Sequence, residues 1–238
     1  MRDVMQGLWV GTELSVMEQL SISSFLHHGH PYHLYVYEEV KNIPHGTVVR
    51  DANDILPASM IFQYKDFPTY AGFANFFRYK LLLDRGGWWV DTDLVCLKPF
   101  EFTANMVFST ERYDNIDVIN NGVIRVPVGS EIMAYVWHVC QQKKVEELAW
   151  GEAGPVLIGE AVQRFSLEQH VQPYQVFCPL GYEQRQELLL PNPTWQPDDT
   201  TYAIHLWNEM WRRGGVDKNA RYDPSCIYEQ LQARYLRS

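Results

Sequence analysis

The stretch from Arg85 to Pro99, RGGWWVDTDLVCLKP, constrains the fold most strongly, because a glycine pair leads into a short apolar strand that ends in two carboxylates. Alternate side chains of a strand share one face and each residue advances about 3.3 Å, so Asp91 and Asp93 are predicted to point the same way, about 7 Å apart. Both supply the oxygen ligands that Mg²⁺ and Mn²⁺ prefer. A chain with thirteen aspartates also produces this spacing by chance, so the neighbouring segments must decide its meaning.

Length and charge narrow the class of protein. A chain of 238 residues is long enough for one α/β domain with a sizeable core, and we expect residues 1–238 to form a single domain. The net charge of −9 disfavours a nucleic-acid partner, since a polyanion would be repelled. The four cysteines lie far apart without metal-finger spacing, which indicates reduced thiols in a cytoplasm.

The first half reads as alternating strands and helices. Strands are predicted over 6–11, 32–37 and 47–51, and a helix from Ser15 to about His28, where Ser15 and Glu18 form a capping box. The strongest helix pattern runs from Tyr70 to Arg85 and feeds the WWVDTD strand through Gly86-Gly87. This order predicts an α/β fold with a mixed, mostly parallel, Rossmann-like sheet flanked by helices.

The second half continues the pattern less clearly. Strands are predicted over 106–112 and 118–126, and helices over 155–165 and 225–236. Ser130 is predicted to cap a further helix that runs to about 144. Residues 173–195 suggest irregular structure, and YAIHLWNEMWRR (202–213) a last strand that runs into an aromatic loop. The MRDVMQGLWVG start has no long apolar core, and no stretch reaches the ~20 apolar residues of a membrane helix. Basic residues near the C-terminus would permit peripheral membrane contact, although a solvated helix face explains them equally well.

Several blocks of this sequence together resemble the D-x-D glycosyltransferases of family 32, a group that includes eukaryotic mannosyltransferases and bacterial capsule and lipopolysaccharide sugar transferases. The blocks are LWVG, FRYKLLLDRGGWWVDTDLVCLKPF, INNGVIRV, AGP and HLWNEMW. The layout is also remotely similar to the glucosylating toxins of clostridia. The resemblance implies a GT-A fold and a retaining enzyme that uses Mn²⁺ or Mg²⁺. It would transfer a hexose from a nucleoside-diphosphate sugar, with UDP preferred, to a glycan or glycolipid.

The resemblance also implies roles for residues that bind the donor. Leu8 and Trp9 in the LWVG block would hold the nucleotide, with Trp9 stacked on the base, although a buried core tryptophan is an equal alternative. Arg78 would face the sugar diphosphate, to which a guanidinium can donate two hydrogen bonds; pairing with Asp84 or another carboxylate is its plainer role. Asn75 stands where many relatives have an aspartate that binds the donor sugar, which leaves the sugar's identity open.

Other residues are implied at the reacting end of the donor. Asp93 would be the direct metal ligand, and Asp91 would reach the ribose or the sugar. His205 would be a third metal ligand, or a structural histidine after an apolar strand, and Trp207 would contact the leaving diphosphate from a flexible loop. Asn121 would lie near the donor sugar, although Asn-Gly is also an ordinary turn signal.

Two other classes of protein remain open on sequence. The DTDLV strand also satisfies the nucleophile pattern of haloacid-dehalogenase phosphohydrolases, yet about 90 residues precede it here and the Arg78 helix would be unexplained. A non-catalytic module could keep the fold and bind a nucleotide or glycan without transfer. The retaining reaction could proceed by front-face attack or by two displacements, and no carboxylate other than the D-x-D pair is evident for the second route.

Overall fold

A six-stranded mixed sheet forms the centre of the protein in the computed structural model, which describes residues 3–65 and 68–237. In chain order its strands are β1 (Met5–Trp9), β2 (Tyr32–Val36), β3 (Val48–Asp51), β4 (Gly87–Val90), β6 (Val107–Tyr113) and β7 (Ile116–Val126). The spatial order is β3-β2-β1-β4-β7-β6, with the first four strands parallel and β7 antiparallel to both β4 and β6. Strands β5 (Leu94–Cys96) and β8 (Ala203–His205) form a separate antiparallel pair. The predicted mixed, mostly parallel α/β sheet is confirmed.

Helices cover both faces of this sheet. The larger ones are α1 (Val16–His27), α2 (Ala71–Arg85), α3 (Glu131–Gln142), α4 (Leu157–Arg164) and α7 (Ile227–Tyr235), and the short ones are α5 (Tyr174–Phe177) and α6 (Asn208–Arg213). Adjacent residues of a strand point to opposite faces, so Trp88 packs towards α1 and Trp89 towards α2, α3 and α4. Both tryptophans are fully buried. Two apolar layers therefore fix β4 from either side.

The start of α1 and the end of α2 follow the sequence signals. Ser15 is the N-cap of α1, its hydroxyl accepts a hydrogen bond from the Met17 N–H, and the Glu18 carboxylate accepts one from the Ser15 N–H. Helix α2 ends at Gly86, whose φ of 62° lies in the left-handed region that glycine tolerates. A Cβ at Gly86 would lie 2.4 Å from the Val128 nitrogen. The glycine is required both by its conformation and by the close approach of the chain before α3.

The structure corrects four expectations about local structure. Strand β4 ends at Val90, and the D-x-D segment is a turn in which the Leu94 N–H donates to the Asp91 carbonyl at 3.1 Å. Ser130 precedes α3 as predicted but makes no side-chain capping bond. The predicted aromatic loop after β8 is helix α6 instead, and the region 173–195 contains α5 and a 3₁₀ turn over Tyr182–Leu189.

Across residues 3–65 and 68–237, the helices are all too short or too polar to cross a bilayer.

Candidate metal and donor-binding site

The D-x-D turn meets β8 at the carboxyl end of β4, where parallel α/β sheets commonly bind ligands. Strand β5 follows the turn directly and pairs with β8, so that Leu94 lies opposite His205. One potential ligand atom from each of Asp91, Asp93 and His205 lies within 4.8 Å of the others. The structure thus brings together all three predicted metal ligands. The two aspartates achieve this through a turn and not by alternation along a strand.

Asp93 and His205 are the two more deeply buried members of this group. His205 Nε2 lies 3.2 Å from Asp93 Oδ1, and the Asn208 N–H donates to Asp93 Oδ2 at 2.8 Å. Burial alone would raise the pKa of Asp93, but the charge and hydrogen bond of His205 outweigh it and lower that pKa. For His205, Asp93 outweighs the effect of burial and raises the pKa of the imidazole well above its usual value. On the other side of the ring, Nδ1 lies 3.7 Å from Cys178 Sγ.

Asp91 is held by two donors at the same oxygen. Arg78 Nη2 donates to Asp91 Oδ1 at 2.9 Å, and Trp89 Nε1 donates to the same atom at 2.8 Å. Burial raises the pKa of Asp91; the Arg78 charge opposes this shift and the Asp93 charge adds to it. Both donors use Oδ1. The other carboxylate oxygen, Oδ2, faces Gly122 on β7, where an added Cβ would lie 3.1 Å from it.

Arg78 pairs with a carboxylate, as its plainer sequence interpretation allowed, and that carboxylate belongs to Asp91 instead of Asp84. Its side chain is 4% exposed and reaches Asp91 and the Asn121 carbonyl, whereas Asp84 pairs with Lys80 one turn along α2. The guanidinium carbon lies 4.9 Å from the centroid of the Trp89 ring. Arg78 therefore joins α2, β4 and β7 beneath the two aspartates.

The two predicted sugar-binding asparagines also meet. Asn121 Nδ2 donates to Asn75 Oδ1 at 2.8 Å, and both side chains are buried. A Cβ on Gly154 would lie 2.8 Å from Asn75 Nδ2, so the chain before α4 closes over this pair. The Tyr79 hydroxyl, which lies 3.4 Å from Asn121 Nδ2, donates to the Gly154 carbonyl at 3.2 Å and fixes the same segment.

The remaining predicted donor residues line one cavity of about 890 Å³ together with those above. Leu8 is largely buried in the core, and Trp9 is partly buried, with an indole N–H that has no hydrogen-bond partner. Trp207 stacks on His205 with ring centroids 4.0 Å apart, and its N–H donates to the Leu180 carbonyl at 2.8 Å. Its φ of 61° is unusual for a bulky residue and turns the chain from β8 into α6.

Sequence reasoning missed several residues of this cavity. Glu111 on β6 lines it and accepts a hydrogen bond from Asn120 Nδ2 at 3.3 Å, and burial raises the pKa of this carboxyl. Lys218 reaches Glu18, which is fully buried, and lies 5.5 Å from the centroid of the Trp9 ring. Lys218 meets Glu18 from 200 positions away in the sequence, so no local pattern could have identified it. Glu111 meets Asn120 across the neighbouring strands β6 and β7, and its burial depends on packing that the sequence does not show.

Residues 15–114 match the family model described as "Glycosyltransferase sugar-binding region containing DXD motif". This segment includes Asn75, Arg78 and both aspartates, whereas Asn121, His205 and Trp207 lie beyond it. The chain contains a D-x-D glycosyltransferase region. The resemblance drawn from the sequence, and with it the glycosyltransferase class, is confirmed.

Curated relatives of this glycosyltransferase region are lactosylceramide 4-alpha-galactosyltransferases. The protein from Rattus norvegicus is 26% identical over 175 residues, which cover 66% of this chain and 45% of the rat protein. The one from Homo sapiens is 25% identical over 175 residues, which cover 66% of this chain and 46% of the human protein. The chain spans about half the length of these two relatives.

Solved structures of glycosyltransferases share the fold. The ligand-free glycosyltransferase domain of the YGT toxin superposes with a TM-score of 0.53, covering 79% of this chain and 83% of that one at 7% identity. The PaToxG glycosyltransferase gives a TM-score of 0.50, covering 69% of both chains at 18% identity. The predicted GT-A architecture is therefore confirmed.

Proposed function

We propose that this chain is a metal-dependent, retaining hexosyltransferase that uses a nucleoside-diphosphate sugar, preferably a UDP-sugar, and a hydroxyl of a glycan or glycolipid. The observation that carries the proposal is the group of Asp91, Asp93 and His205 at the end of β4, within a cavity that also contains Arg78. A cavity of this size can enclose a nucleotide sugar, since small-molecule pockets measure roughly 300–1,000 Å³.

The three side chains fit a divalent cation. Two carboxylates and one imidazole form a mixed oxygen and nitrogen set that suits Mn²⁺, while Mg²⁺ would rely mainly on the carboxylates. The Asn208 N–H on Asp93 and the two donors on Asp91 fix the carboxylates from behind, as supporting groups commonly do around metal ligands. A cation held here would neutralise the departing diphosphate.

Other side chains would position the donor around that cation. We assign the sugar hydroxyls to Asn75 and Asn121, whose amides can both donate and accept. The nucleotide would lie against Leu8 and Trp9, where the unpartnered indole N–H offers a donor. Trp207 already donates its N–H to the Leu180 carbonyl, so a bond to the diphosphate requires release of that contact.

In a front-face reaction the acceptor oxygen forms the bond to C1 of the sugar as the bond from C1 to the phosphate oxygen breaks. The acceptor's proton passes to the leaving phosphate. A route through two displacements needs an enzyme nucleophile. Glu111, whose carboxylate lines the cavity, is a candidate in addition to the D-x-D pair. The GT-A fold disfavours the phosphohydrolase alternative.

The relatives' names support a glycolipid acceptor and an α linkage for the product. We further propose that residues 1–238 act as one domain in the cytoplasm, where the four unpaired, buried cysteines would stay reduced. Peripheral contact with a membrane would present the acceptor. If the protein bound neither anionic nor neutral vesicles, that result would contradict the membrane contact.

Asp93→Asn tests the proposed reaction. The amide keeps the shape and can still accept from the Asn208 N–H, but it removes the charge that binds the cation. Mn²⁺-dependent release of UDP from UDP-hexoses should fall at least a hundredfold while circular dichroism shows the native fold. Asp84→Asn, on the exposed side of α2, is the matched control and should keep full activity. Undiminished turnover in Asp93→Asn would overturn the assignment. Tight donor binding by the wild type, with neither hydrolysis nor transfer, would indicate a binding module.

A further inference from the structure

The two ring nitrogens of His205 face different partners. Nε2 lies 3.2 Å from Asp93 Oδ1, and Nδ1 lies 3.7 Å from Cys178 Sγ. Trp207 stacks on one face of the imidazole, with ring centroids 4.0 Å apart and an angle of 27° between the planes. A Cβ on Gly122 would lie 3.4 Å from His205 Cε1. Nε2 therefore belongs to the candidate metal group, whereas Nδ1 faces a thiol to which the proposed function gives no role.

The backbone around Cys178 fixes this thiol next to β8. Cys178 directly follows α5, and within that helix the Val176 carbonyl accepts from the N–H of Tyr202, the residue before β8, at 2.8 Å. Two residues after Cys178, the Leu180 carbonyl accepts from the Trp207 indole N–H at 2.8 Å. The Cys178 side chain is fully buried. The segment 178–180 thus contacts both rings that follow β8, one through a thiol and the other through a carbonyl.

The position of the thiol matches a chemical requirement of a metal-binding histidine. An imidazole that binds a cation through Nε2 carries its proton on Nδ1, and that N–H is commonly held by an acceptor. Thiol sulfur is a weak acceptor. The same chain uses sulfur in this way at the start of α7, where Cys226 Sγ accepts from the Glu229 N–H at 3.5 Å. Cys178 Sγ can therefore accept the Nδ1 proton of His205.

From these contacts we propose that Cys178 is a positioning residue, whose sulfur accepts a hydrogen bond from His205 Nδ1–H and thereby holds Nε2 towards the cation. The acceptor at this position is usually a carboxylate, a backbone carbonyl or water, and a thiol takes that place here. Because sulfur accepts more weakly than oxygen, it should contribute less to cation affinity than such groups usually do. The inference rests on the proposed function, since the cation is part of it.

Electron paramagnetic resonance of free Mn²⁺ measures cation binding without requiring turnover. Mn²⁺ is added alone and with UDP, with protein-free UDP as the reference. The Kd for Mn²⁺ should rise about tenfold in Cys178→Ala and Cys178→Val, the lower end of the loss when a supporting group of a metal ligand is removed. Cys178→Ser keeps an acceptor and should recover part of that loss. Cys140→Ala, which removes an equally buried thiol on α3, is the matched control and should keep the wild-type Kd.

Equal Mn²⁺ affinity in the wild type, Cys178→Ala and Cys178→Val would overturn the role of Cys178. An equal loss in Cys178→Ser and Cys178→Ala would also overturn it, because the effect would then come from packing and not from an acceptor. Failure of the wild type to bind Mn²⁺, both alone and with UDP, would instead refute the proposed cation site itself. If Cys178→Ala did not show the native fold by circular dichroism, Cys178→Val, which fills the space of the thiol without an acceptor, would take its place.

Discussion

Arg78 should stabilise the fold mainly through its pairing with Asp91. Its guanidinium is 4% exposed and donates to Asp91 and to the Asn121 carbonyl, whereas the Asp91 side chain is 23% exposed. Removal of one partner of a buried ion pair costs about 3–5 kcal/mol. Since water still reaches Asp91, Arg78→Gln should lower the free energy of unfolding by about 2–4 kcal/mol.

A double-mutant cycle separates this pairing from the other contacts of Arg78. Urea unfolding is measured with EDTA for the wild type, Arg78→Gln, Asp91→Asn and the double variant. In the Asp91→Asn background the loss from Arg78→Gln should be smaller by about 1–3 kcal/mol, because no buried carboxylate is left unpaired. The same loss in both backgrounds would refute the reasoning and show that Arg78 acts on stability through its contacts with Asn121 and Trp89.

Three further predictions concern local structure. Ser15→Ala should reduce the free energy of unfolding by about 1 kcal/mol through loss of the α1 cap, and an unchanged urea midpoint would contradict it. Gly86→Ala should lower the free energy of unfolding by more than ~2 kcal/mol, because the added Cβ would clash with the Val128 nitrogen. Gly215 has a similar φ of 65° with open space around it, so Gly215→Ala should cost about 1 kcal/mol, and equal losses in the two variants would contradict the clash. The four cysteines should resist Ellman's reagent in the native state, since all are buried and burial raises the pKa of Cys140 to about 12; rapid labelling of any of them at pH 8 would contradict this.

Local signals predicted the scaffold well. The capping box at Ser15 and the glycine after Arg85 each encode a helix end within a few residues, and both are found as predicted. The predicted strand geometry of the D-x-D segment was wrong, because a hydrogen bond from the Leu94 N–H to the Asp91 carbonyl closes a turn there. Alternation along a strand cannot anticipate such a turn.

The site itself depends on contacts between distant segments. His205 meets Asp93 because β8 pairs with β5, and that pairing spans more than a hundred residues. Helix α6 was missed because it begins after Trp207, whose left-handed conformation is rare for a tryptophan and leaves no usual capping signal. The family resemblance indicated that Asp93, His205 and Trp207 belong to the site, and the structure gives the distances between them.

The proposed site is tested most directly by a thermal-shift panel of UDP- and GDP-sugars with and without Mn²⁺, on the wild type and on His205→Ala. A ligand at a hundred times its Kd adds about 2.7 kcal/mol, which for a chain of this size raises Tm by roughly 5–10 °C. We predict that a UDP-sugar gives a rise of this size in the wild type only with Mn²⁺, and that His205→Ala abolishes most of it. Equal shifts with and without Mn²⁺, or an undiminished shift in His205→Ala, would contradict a cation held by Asp91, Asp93 and His205.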